Sequence, residues 1–150
     1  RQVLQAAHGK CSVNIELKGD MFLRDPMPFV RKVVEDVRVC GMESQVLLSS
    51  FTSDLLAAAA ATEPSIPRGV IYNLYRDFGR PPSKLAGRVR ASVFVCARRE
   101  LRKSMIRDAR QHSLALYVYT LNSVQDAQKM VEQGVDGIIS DNADDIVRSL

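Results

Sequence analysis

The sequence holds 150 residues, 46% of them hydrophobic and 25% charged, with a net charge of +4. That is enough chain for one domain with a real core, in an ordinary globular balance. No apolar run approaches the roughly 18 to 20 residues of a membrane span, so a transmembrane segment is excluded, and the mild basicity suits a small anionic substrate without pointing to nucleic acid.

Cys11, Cys40 and Cys96 are an odd set without metal-ligand spacing. Reduced, partly buried thiols are expected, which favours a cytoplasmic location. Residue 1 is Arg, and Val3, Leu4 and Ala7 before Gly9 read as the end of a helix. A start inside a helix leads to the expectation of structure upstream, and a missing signal peptide then carries no weight.

In Val13-Asn14-Ile15-Glu16-Leu17-Lys18 apolar and polar residues alternate, the pattern of a strand with two unlike faces. Glu16 and Lys18 fall on one face, about 6.6 Å apart along the strand. Either they form a surface ion pair or they serve a function at the strand end. A loop is expected over residues 19–23. Asp25-Pro26 opens a helix with the stripe Phe29, Val30, Val33, Val34 and Val37, closed by Gly41. Residues 46–51 read as a buried strand, and Thr52 or Ser53 caps a helix with the alanine run 57–61, broken by Pro64 and Pro67. Residues 69–74 are a third strand, and 75–87, with Gly79 and Pro81-Pro82, a loop holding at most one helical turn. A fourth strand at 91–96 leads into a helix over 98–111 that buries Leu101, Met105, Ile106 and Ala109. Residues 114–120 form a fifth strand. Ser123 caps the next helix, with Val124, Ala127 and Val131 facing inward and Gly134 at its end. A sixth strand at 135–140 and a terminal helix capped by Asn142 complete the order.

Six apolar strands alternating with amphipathic helices predict a parallel α/β sheet, either an open doubly wound sheet or a β/α barrel. No glycine-rich nucleotide fingerprint follows any strand, which disfavours the former. A full barrel has eight strands in about 250 residues, so six in 150 fit an incomplete TIM-type barrel, read as a single domain over 1–150.

Four stretches recur at strand ends in a familiar order: residues 13–18, Leu48-Ser49-Ser50-Phe51, residues 117–122 and residues 134–141. Together they resemble the C-terminal part of the glycerophosphodiester phosphodiesterase domain. The resemblance implies a barrel with its site at the C-terminal strand ends. It also implies hydrolysis of glycerophosphodiesters to glycerol 3-phosphate and an alcohol, in lipid and glycerol metabolism, with Mg2+ or Ca2+. It makes Glu16 the metal ligand and Lys18 the catalytic, phosphate-contacting residue. Phe51 and Tyr119 become aromatic walls of the substrate cleft, Tyr119 where the family often has Trp. A hard divalent cation prefers carboxylate oxygens, and a phosphodiester gains from an ammonium opposite the ion. The chain departs from the family at Ser140-Asp141-Asn142-Ala143. The family's two histidines and other metal carboxylates belong to motifs absent here. His8 and His112 precede strands and are expected on the surface of the opposite face.

Asn122 either contacts substrate or shapes the turn into the helix capped by Ser123, and Asp141 either supports the site or caps a loop. Ser49 and Ser50 read as packing and turn residues, and Cys96 as buried and inert. The basic stretch 88–110 reads as the solvated face of an outer helix. Set against the enzyme is a truncated barrel without catalysis, binding or oligomerising through open sheet edges. A lipid-phosphodiesterase toxin of a related barrel is a third reading, against which the unpatterned cysteines argue. The partners expected are a small glycerophosphodiester and a second copy of the chain, with no nucleic acid.

Overall fold

The structure, a computed structural model, describes residues 1–19 and 24–149. Residues 20–23 of the loop expected over 19–23 lie outside the described residues. Six strands are interleaved with eight α-helices and one 3-10 turn (Glu43–Gln45) among those described, and every described strand pair is parallel. Parallel strands joined by helices are the repeating unit of a β/α barrel, and six of the eight make an incomplete one. The chain forms two compact units, Arg1–Val70 with Gly87–Ala91, and Ile71–Ala86 with Ser92–Leu150.

The first unit contains α1 (Gln2–Ala7), β1 (Val13–Glu16), α2 (Met27–Val39), β2 (Val46–Ser50), α3 (Ser53–Thr62) and the start of β3 (Arg68–Ile71). β1 pairs with β2 in the register Val13↔Val46 to Glu16↔Ser49, and β2 pairs with β3. The alternation read from the sequence is realised, since Asn14, Glu16 and Lys18 are exposed while Leu17 is buried. α2 lays Val30, Val34 and Val37 into a core with Leu17, Leu48, Leu55, Ala59 and Ile66. Phe29, expected in that stripe, stays 39% exposed because it sits one residue off the i, i+4, i+7 row of the buried valines. The helix starts one residue later than expected. Asp25 Oδ1 accepts from Met27 N at 2.9 Å, and Pro26 occupies the cap position.

A buried arginine, Arg68, holds the start of β3. Its guanidinium donates to the carbonyls of Ile66 (2.7 Å), Pro64 (3.2 Å) and Arg90 (2.9 Å), with Val89 O at 3.3 Å from Nε. Burial lowers its pKa, and Arg90 adds to the effect. No carboxylate pairs with it among the described residues; four carbonyl oxygens meet the charge instead.

The second unit contains the end of β3, α4 (Leu74–Asp77), most of α5 (Pro82–Val89), β4 (Val93–Ala97), α6 (Lys103–Gln111), β5 (Ala115–Tyr119), α7 (Val124–Glu132), β6 (Gly137–Ile138) and α8 (Ala143–Val147). Its buried residues include Tyr72, Phe94, Cys96, Met105, Leu116, Val118 and Ala127. Residues 75–87 are more helical than the sequence suggested. Pro82 is the first residue of α5, where its missing N–H costs nothing, and Asp108 takes Ser83 N (2.7 Å) and Ser83 Oγ (2.9 Å) at that helix start. Asn73 likewise caps α4 by accepting from Tyr75 N and Arg76 N. α6 starts five residues later than expected, because Glu100 N and Leu101 N turn back onto Ala97 O. Val131, expected to face inward on α7, is 47% exposed. β6 has two residues rather than six. Gly137 lies opposite Tyr117, and a Cβ at 137 would come within 2.6 Å of that ring. His8 and His112 are exposed, as expected.

Candidate active site

The two unlike faces of β1 put Glu16 and Lys18 in solvent on either side of the buried Leu17. Leu17 is held twice. Its N–H donates to Ser49 O at 2.7 Å, and its carbonyl accepts from Ser50 Oγ at 2.7 Å. Ser50 Oγ also accepts from Thr52 N at 3.0 Å, at the first turn of α3. One hydroxyl thus ties the end of β1 to the end of β2 and to the next helix start, and the bracketed residue carries Glu16 and Lys18 on its flanks. No ion pair joins Glu16 to Lys18 among the described residues, so the surface-pair reading of this strand does not hold.

Parallel partners in register point to the same face, which places Ser49 beside Glu16. Ser49 is fully buried, and its Oγ has no hydrogen-bond partner among the described residues. Phe51 follows at 36% exposure, at the edge of the same strand end. The first unit therefore gathers a carboxylate, an ammonium, a buried hydroxyl and an aromatic ring at two adjacent strand ends.

In the second unit Tyr119 ends β5, half-buried, with its carbonyl accepting from Arg98 N at 2.7 Å. Asn122 is exposed, but its amide is committed. Nδ2 donates to Asp141 Oδ2 (3.0 Å), and Oδ1 accepts from Asp141 N (3.0 Å) and Ser140 Oγ (3.1 Å). Asn122 so joins the loop after β5 to the loop after β6, and Asp141 serves the same join. The turn into α7 is instead made by Ser123, whose Oγ accepts from Asp126 N at 3.3 Å. Cys96 is buried, and its thiol is pushed up to about 12 by burial first and by Glu100 second, which leaves it protonated and unreactive.

No group of three or more His, Cys, Asp or Glu able to hold a metal ion is present among the described residues. Mg2+ and Ca2+ take six or more oxygens, so Glu16 with Ser49 beside it does not fit a complete site for either ion. The role of Ser50 was not legible in the sequence. A Ser ahead of a helix start signals a turn, but its bond to Leu17 depends on the register of a neighbouring strand.

Residues 1–145 match the glycerophosphoryl diester phosphodiesterase family. A Bacillus subtilis protein of uncharacterised function, YqiK, is 29% identical over 137 residues, covering 86% of this chain and 52% of that protein. A glycerophosphodiester phosphodiesterase of Caldanaerobacter subterraneus is 23% identical over 135 residues, covering 90% and 54%. Among solved structures, a glycerophosphodiester phosphodiesterase from Parabacteroides distasonis superposes with a TM-score of 0.84 at 16% identity, covering 98% of this chain and 61% of that one. A phosphodiesterase from Oleispira antarctica in complex with its product sn-glycerol 3-phosphate gives 0.81 at 21%, covering 92% and 54%. The chain spans about half the length of the curated relatives it matches.

Proposed function

This chain belongs to the glycerophosphoryl diester phosphodiesterase family, and from that premise we propose that it is the C-terminal part of a barrel that hydrolyses glycerophosphodiesters to glycerol 3-phosphate and an alcohol. The observation that carries the reading is the doubly tethered Leu17, which fixes the backbone between Glu16 and Lys18 at a strand end. In the proposed reaction the Lys18 ammonium lies against a phosphate oxygen and stabilises the charge that builds there. Oxygen from water bonds to phosphorus as the bond to the alcohol oxygen breaks, and the proton that the water gives up passes to the departing alkoxide; where a glycerol hydroxyl attacks first, the alcohol leaves in the same way and water then opens the cyclic phosphate to glycerol 3-phosphate. Phe51 and Tyr119 offer apolar walls to the organic part of the substrate. Asn122 serves through the loops it joins. A divalent ion at Glu16 is the family expectation. The described residues do not complete such a site, so no step is assigned to it.

The test is release of glycerol 3-phosphate from glycerophosphocholine, with and without Mg2+ or Ca2+. Lys18→Met is expected to lower kcat/KM by about a hundredfold or more, the scale of removing one transition-state charge contact. Glu16→Gln is expected to abolish any dependence on the added ion. Turnover unchanged in both variants would sink the assignment. That no metal-holding group of acidic residues is present among the described residues also favours a second reading, a barrel portion that binds without catalysis. Well-folded chain that binds glycerol 3-phosphate through Lys18 yet never turns over substrate would establish it.

A further inference from the structure

Strands β1, β2 and β3 lay Glu16, Ser49 and Gly69 side by side, in the registers Glu16↔Ser49 and Ser49↔Gly69. Parallel partners in register point to one face and stand about 4.8 Å apart, so Ser49 lies between a carboxylate and a residue without a side chain. Ser49 is fully buried, and its Oγ is the one buried side-chain nitrogen or oxygen without a hydrogen bond among the described residues. Such a hydroxyl carries a desolvation cost that nothing offsets, and alanine would occupy the position without it. The next residue shows the contrast, since Ser50 Oγ both donates and accepts.

The main chain around Ser49 is held. Its carbonyl accepts from Leu17 N at 2.7 Å, and Ser50 Oγ reaches Leu17 O, so β1 and β2 are tied at the level of Glu16. Only side-chain torsions are left to vary there. No hydrogen bond fixes the Ser49 hydroxyl in one rotamer. The Glu16 side chain is exposed and has neither an ion pair nor a hydrogen bond among the described residues. A donor without an acceptor thus stands one strand away from an acceptor without a donor. The other neighbour in the row, Gly69, has no side chain to offer. A hydroxyl donating to a carboxylate makes a shorter and stronger bond than one between neutral groups.

We propose that Ser49 is a positioning residue for Glu16: its hydroxyl donates to the carboxylate across the β1–β2 register, holds one oxygen, and leaves the other to face the substrate. Fixing the glutamate torsions in advance removes an ordering cost from binding. That the held carboxylate serves hydrolysis rests on the function proposed above, whereas the contact itself does not.

The test reads the side-chain carboxyl 13C resonance of Glu16 in the isotope-labelled chain at fixed pH, with and without glycerol 3-phosphate. Ser49→Ala removes the donor, and Ser49→Cys keeps the volume while donating only weakly. Both are expected to displace the resonance in the same direction. Urea unfolding runs alongside. Its midpoint should be unchanged or raised in Ser49→Ala, because the buried hydroxyl has no other partner to lose. In glycerophosphocholine turnover both variants should lower kcat/KM about tenfold, mainly through kcat, the scale of one hydrogen bond to a charged group. A resonance that stays in place under both conditions overturns the proposal. So does one displaced by Ala but not by Cys, which would report volume, or an unfolding midpoint that falls together with kcat, which would make Ser49 a packing residue. A displaced resonance in a chain without turnover establishes the contact and sinks the hydrolytic reading instead.

Discussion

Ser50 shows how much one hydroxyl can organise. Its Oγ donates to Leu17 O and accepts from Thr52 N. Ser50→Ala leaves a buried carbonyl and an amide short of a partner, and is expected to cost about 1 to 3 kcal/mol in urea unfolding. Because the freed carbonyl lies between Glu16 and Lys18, kcat should fall while KM moves little. Equal loss in both would make Ser50 a packing residue only. Glu63 gives the second prediction at this scale. Its carboxylate is held by Arg38 and by Ser65 Oγ (2.8 Å), which lower its pKa to about 2 from an ordinary 4.5. The folded value lies below the unfolded one, so the stabilisation is complete above the ordinary value and is lost as pH falls through about 2. Glu63→Gln should flatten the melting temperature across that window; an unchanged acid limb would refute the assignment. Glu16 and Lys18 were legible in the sequence because strand alternation places them. Ser50 and Arg68 were not, because their partners are carbonyls distant in sequence.

Among elements, the strand–helix order could be read with little error, since β1 alternates, the strands after it are mainly apolar runs, and α2, α6 and α7 carry apolar stripes. Errors fell where local rules compete. Pro81-Pro82 reads as a breaker, yet Leu85, Ala86 and Val89 repeat at helical spacing behind it, and the side chain of Asp108 supplies the start. Arg68 links the chain ahead of β3 to the end of α5, through Pro64, Ile66, Val89 and Arg90. Arg68→Met keeps the stem and removes every donor, leaving several carbonyls unanswered. A loss of about 2 to 4 kcal/mol is expected in denaturant unfolding, with faster amide exchange at the α5 end. A loss below 1 kcal/mol would mean that water replaces the guanidinium at little cost.

For the whole molecule the decisive fact is proportion. The chain covers about half of its relatives, in a fold whose strands close on one another when all eight are present. A parallel sheet with open edges invites pairing between chains. Light scattering on the purified chain should therefore give a mass that rises with concentration above that of one chain, 16.7 kDa. A strict monomer at all concentrations would show that the edges are protected. No helix among the described residues is long and apolar enough to cross a membrane.

The ring of Tyr117 lies where a side chain on Gly137 would have to go. The two positions cannot drift separately through evolution. A lineage that gains even a methyl group at 137 must first shrink or turn the ring at 117, or lose the register of its last strand. A bulky residue at one position and glycine at the other should therefore be inherited as a pair. In gene libraries recombined between β5 and β6, viable crossovers would be those that keep that pair together.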